Sequence, residues 1–84
     1  MIDNLLARFG ERHVTFIRQV ATYSSRALAS AERSFLRLIA EHEAKIAVAE
    51  KTRIGLSAVS HWSQELVTFN EQLEIVRAFI AQAG

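Results

Sequence analysis

Apolar residues recur along this chain every three or four positions and never settle into sustained alternation, a spacing that predicts helices rather than strands. Ile2, Leu5, Leu6 and Phe9 share one face of a helix over about 3–9, and Gly10 is placed to close it with a left-handed cap. Over about 11–24 there are two stripes, Val14-Ile17-Ala21 and Phe16-Val20-Tyr23. A helix apolar on two sides is either central or shared with a second subunit. Ser24-Ser25 is a weak break after it. A third helix over about 26–42 turns Leu28, Ala31, Phe35, Leu38 and Ile39 inward, with Arg26, Arg33 and Arg37 mainly on another, solvated face. Two short helices lie within 45–64. The last helix covers about 68–83, opened by a capping box, Thr68-x-x-Glu71. Its face is Phe69, Leu73, Val76 and Ile80, with Ile75 and Phe79 as a second apolar pair beside it. That pair, with Phe16 and Val20, is either a broad core or an oligomer interface. Proline is absent and glycine stands only at 10, 55 and 84, so few positions break a helix. The pattern predicts an all-α fold, a small helical domain of about five to six helices formed by residues 1–84 as one unit, without repeats or linkers.

Residues 45–64 read Lys-Ile-Ala-Val-Ala-Glu-Lys-Thr-Arg-Ile-Gly-Leu-Ser-Ala-Val-Ser-His-Trp-Ser-Gln. They fit the requirements of a helix-turn-helix, in which a tight turn holds two short helices at a steep angle. Ala49 is small enough for close approach, Val48 can anchor the first helix and Ile54 can plug the turn. Ser57 can cap the second helix, whose inner face would be Val59 and Trp62. At that spacing the indole is a core plug rather than a stacking platform for bases.

Ala49-Glu50-Lys51 followed by Ser57-Ala58-Val59-Ser60-His61-Trp62 resembles the helix-turn-helix of the lambda-repressor-like superfamily, which includes phage Cro and CI proteins. Within that group residues 26–79, about two-thirds of the chain, are most similar to the CII activators of lambdoid phages. The shared features are a leading helix with Leu28 and Leu38-Ile39-Ala40, the motif itself, Trp62 closing the second helix and an apolar helix soon after. The resemblance implies an oligomeric, sequence-specific regulator of transcription that sets its second motif helix in the major groove of duplex DNA. Base reading would fall to Ser57, Ala58, His61 and Gln64, and backbone contact to Lys45, Lys51, Arg53 and Ser60. The expected assembly is a homodimer or homotetramer, and an activator of this kind would also meet RNA polymerase. Residues 1–25 extend beyond that pattern as an N-terminal helical element. Five positions depart from it. Arg53 stands where relatives place glycine for a positive φ, Thr52 replaces a usual leucine, and Trp62 is flanked by His61, Ser63 and Gln64 rather than by Arg or Lys.

Half of the 84 residues are hydrophobic and 23% are charged, a globular rather than a disordered composition. Residues 1–62 hold nine Lys/Arg against six Asp/Glu, net +3; residues 63–84 hold one against three, net −2. A polyanion would therefore meet the front of the chain. Cysteine is absent, which excludes disulfides and thiolate metal sites and agrees with a reducing, cytoplasmic setting. Residues 1–8 lack a basic lead-in with an apolar run, and no apolar stretch approaches bilayer length, so neither a signal peptide nor a membrane span is expected.

His13, His42 and His61 share no ligand spacing, and His42 between Glu41 and Glu43 reads as a solvated helix end. Glu41 and Glu43 face different sides of a helix and form no acid–base pair. With no nucleophile elbow and no glycine-rich phosphate loop, no enzyme, no cofactor and no small-molecule substrate are expected. The sparse basic charge beside Trp62 keeps a second class open, a protein-interaction module on the same scaffold, such as a phage-encoded inhibitor or an antitoxin-like partner.

Overall fold

The computed structural model of the chain describes residues 1–83; Gly84, the last residue of the expected domain, lies outside them. The described residues contain no strand, so the all-α expectation holds. The helices, however, are fewer and longer than the pattern suggested. Helix α1 spans Ile2–Phe9, a 3-10 turn spans Gly10–His13, and α2 spans Val14–Val20. Two long rods follow, α3 over Ser25–Thr52 and α4 over Val59–Ala83, joined through a 3-10 turn at Leu56–Ala58. The expected third and fourth helices are one helix, and so are the fifth and sixth. Nothing in Glu43-Ala44 forces φ out of the helical range, and both residues tolerate helix well. Thr68 does not cap; its hydroxyl donates to the Gln64 carbonyl, 3.3 Å away, inside α4. Its intended partner Glu71 is drawn off to Arg12 and His13.

A true break occurs at Ser24-Ser25, where the Ser24 hydroxyl accepts the Ala27 amide at 3.1 Å and starts α3. The 28 residues of α3 then run about 42 Å at 1.5 Å per residue, close to the 43 Å long axis of the molecule. The α3–α4 pair is an antiparallel hairpin, its levels marked by Glu32 with Arg77, Phe35 with Phe69 and His42 with Glu65. Such side-by-side rods are not the short, steeply crossed helices of the expected motif. The radius of gyration, 14.8 Å, exceeds the roughly 12 Å of a compact domain of this length, so much surface stays open.

The core lies at the open end of the hairpin, where α1 and α2 fold onto the rods. Leu5, Phe9 and Ile17 enclose Ile75, and Val20 and Leu28 enclose Val76. Phe16 and Phe79 border both groups. This corrects the proposed oligomer interface at Ile75 and Val20, which are sealed within the subunit; Phe16 and Phe79 pack against the same core and stay half-buried. The N-terminal helices supply internally the cover that a second subunit would have provided. Ion pairs rim the junction, with Arg8 on Glu74 and Arg12 on Glu71, the latter at 2.8 Å.

The hairpin turn is made by two left-handed residues. Arg53 has φ 62° and ψ 19° and donates its amide to the Ala49 carbonyl at 2.8 Å; Gly55 has φ 78°. The positive φ expected at position 53 is therefore present, borne by an arginine. Thr52 ties the turn, its hydroxyl donating to the Val48 carbonyl at 2.8 Å and accepting from the Ile54 amide at 3.3 Å. Replacing Arg53 by glycine is expected to stabilise the fold by up to about 1 kcal/mol, strain relief being partly offset by the freer unfolded chain. Urea denaturation of the two proteins checks this; a lower midpoint for Arg53→Gly contradicts it.

Candidate functional site

The end of the hairpin gathers most of the residues singled out in the sequence, in an arrangement different from the one expected. Ala49 is buried against α4, as close approach demands. The other two supports of the motif are not internal. Val48 is 60% exposed and Ile54 76% exposed, so neither the anchor nor the turn plug forms. The cause is the straight continuation of α3. Val48 lies about 160° around the helix from the Phe35–Ile39 side that meets α4, and Ile54 follows a left-handed residue that turns it outward. Val59 and Trp62 are half-buried rather than core. Ser57 sits within the 3-10 turn that precedes α4.

Ala44, Lys45, Val48, Ala49, Ile54 and Trp62 together line an open groove of about 340 Å³. Its walls are methyl groups and the indole, and Lys45 is the one charged side chain among them. That volume is at the small end for ligand pockets, about 300–1,000 Å³, and convergent polar groups that would orient a small molecule are missing. Leu56 adds a further exposed apolar side chain in the turn.

The polar residues assigned to DNA lie around the same end. Ser57, Ser60, His61 and Gln64 are exposed, and Ala58 is half-buried. Lys45, Lys51 and Arg53 are exposed, and among the described residues none of them enters an ion pair, as is also true of Arg18, Arg26 and Arg33, whereas Arg8, Arg12, Arg37 and Arg77 are paired. His61 is engaged: its Nε2 lies 2.6 Å from Glu65 Oε1, one turn along α4.

Sequence reasoning missed the two buried histidines. His42 is not a solvated helix end; it is buried on the α4 side of α3. Its Nδ1 donates to the Leu38 carbonyl at 2.9 Å, since a carbonyl can only accept. Its Nε2 lies 3.2 Å from Glu65 Oε2, and its ring stands edge-on to Phe69. The signal was available, because His42 follows Ile39 by three and Phe35 by seven and so shares their face. His13 is likewise buried, with Nε2 3.2 Å from Glu71 Oε1 and the ring edge-on to Phe9. Both pairs are interhelical struts: His42–Glu65 joins α3 to α4, and His13–Glu71 joins the N-terminal turn to α4.

Among the described residues no group of three or more His, Asp or Glu could hold a metal ion, and no helix is long and apolar enough to cross a membrane. The chain matches no protein-family model, no curated protein and no solved structure.

Proposed function

We propose that this chain is a protein-interaction module whose working surface is the closed end of the α3–α4 hairpin. The observation that carries this reading is the exposure of Val48 and Ile54 beside Trp62 around one apolar groove. Single exposed apolar side chains are ordinary, but several grouped on a concave surface mark a contact site. Nothing in the fold needs these two side chains to be large and apolar, because its core lies at the opposite end.

A reading as a duplex-DNA-binding regulator, CII-like activator or related repressor, is favoured by one observation. Lys45, Lys51 and Arg53 are exposed near Ser57, Ser60 and Gln64. It is the second reading for two reasons. The Glu65 carboxylate engages the His61 Nε2, so that nitrogen is not free for a phosphate or a base edge. Paired recognition helices, with or without RNA polymerase as a further partner, would also need a homodimer or homotetramer seam other than Ile75 and Val20, which are used internally.

Affinity capture from source-cell extract separates the readings when the full chain is compared with Val48→Asp/Ile54→Asp, a change at exposed positions that leaves the core intact. A protein retained by the first and lost by the second is the expected result. The reading falls if capture ignores the double substitution while the chain binds random duplex DNA with an affinity that drops steeply with salt. In that event Lys51→Ala should weaken binding to all sequences, and Gln64→Ala should relax base preference.

A further inference from the structure

Resting on the interaction reading, we propose that the groove receives the apolar face of an acidic amphipathic helix from another protein. Its lining joins Ala44 and Val48, one turn apart on α3, with Ala49, Ile54 from the turn and Trp62 from α4. A helix laid into such a trough presents anchors at i, i+3 or i+4, and i+7. The sign of its charge follows from Lys45, the one charged residue of the lining, and from Lys51 and Arg53, which lie close to it in sequence. Of the acids on the same stretch of α3, Glu41, one turn before Lys45, pairs with Arg37. The three cations are exposed and enter no ion pair among the described residues, while Glu65, the next acid along α4, is occupied by His42 and His61. A partner carrying Asp or Glu beside its apolar stripe supplies the missing charge and is steered toward the groove. A second copy of this chain is the poorer occupant. A two-fold contact through this end would set Lys45, Lys51 and Arg53 against the same residues of its mate.

Trp62 is the only tryptophan in the chain and it lines the groove, so its emission reports occupancy directly. The full chain is titrated with two synthetic helical peptides free of tryptophan and tyrosine. One has leucines at i, i+3, i+4 and i+7 flanked by glutamates; the other has lysine at each glutamate. Vesicles of phosphatidylglycerol and a random DNA duplex are titrated in parallel. The expected result is a saturable blue shift with the glutamate peptide and none with the lysine peptide. Lys45→Gln/Lys51→Gln/Arg53→Gln should weaken that binding about tenfold and flatten its salt dependence. Val48→Asp should abolish it, with an unchanged far-UV circular dichroism spectrum confirming that the variant folds. Equal binding of both peptides, or tighter binding of the lysine peptide, with either lost in Val48→Asp, overturns the acidic partner but leaves the interaction module standing. Indifference to both peptides, or a Trp62 response confined to vesicles or duplex, overturns the acidic partner and the interaction module together.

Discussion

Replacing Ile75 by alanine is expected to cost about 2–5 kcal/mol, the range for truncating a fully buried aliphatic side chain. Ile75 has no exposed surface and sits among Leu5, Phe9 and Ile17, so the cavity would open between α4 and both N-terminal helices. A domain of 84 residues has a total stability of only about 4–13 kcal/mol. The variant should therefore unfold at much lower urea, followed by far-UV circular dichroism. Val67→Ala serves as the reference, since Val67 is 54% exposed and should change stability by no more than about 0.5 kcal/mol. The same experiment separates core from seam. Were Ile75 part of an interface between copies, the urea midpoint would rise with protein concentration, and the loss would be largest in dilute solution. A concentration-independent midpoint for the parent chain together with a large loss in Ile75→Ala is the expected outcome.

The second large effect belongs to Gly10. Its φ of 61° and ψ of −154° mirror the extended conformation of an ordinary L-residue, a region that side chains other than glycine's hardly enter. Beyond Gly10 and its two chain neighbours, no heavy atom lies within 4 Å of the place a Cβ would take, so the penalty comes from the backbone and not from a clash. Gly10→Ala is expected to cost about 1–3 kcal/mol in thermal or urea unfolding. D-alanine at the same position, introduced by chemical synthesis, should restore stability, because its preferred φ is positive. If L-alanine and D-alanine behave alike, the backbone argument is wrong. The position is sensitive because Gly10 joins α1 to the turn before α2. A change of direction there would pull Leu5 and Phe9 off Ile75.

The sequence carried the helical class and most of the core face by face. Leu28 and Ile39 on α3, and Leu73 and Val76 on α4, are buried where a 3.6-residue period puts them. Gly10 was legible as a helix end, although its ψ makes it an extended mirror rather than a left-handed cap. Helix lengths were not legible, because a break needs a residue that resists the helix, and 43–44 and 65–67 contain none. The turn at 53–55 could be placed, but not the direction in which α3 delivers its last residues. That direction decides whether Val48 and Ile54 face inward or outward, and it depends on a rod continuing unbent from Ser25. Ile75, Phe79, Phe16 and Val20 gave the converse ambiguity. An apolar stripe states that it will be covered, and only the path of residues 1–20 determines that the cover comes from the same chain.

Both groups of fully buried side chains, around Ile75 and around Val76, belong to the end where the N-terminal helices dock. Beyond His42 toward the turn, Ala49 is the buried residue of α3, and it contributes a single methyl group. The free energy of local opening should therefore decline along the hairpin, high where four helices meet and low where two ends stand nearly alone. The part that presents Val48, Ile54 and Trp62 is thus also the most pliant. It can reshape itself around what it grips, and some of the gross binding energy will go into quieting that motion, which favours contacts that form and release readily over permanent ones.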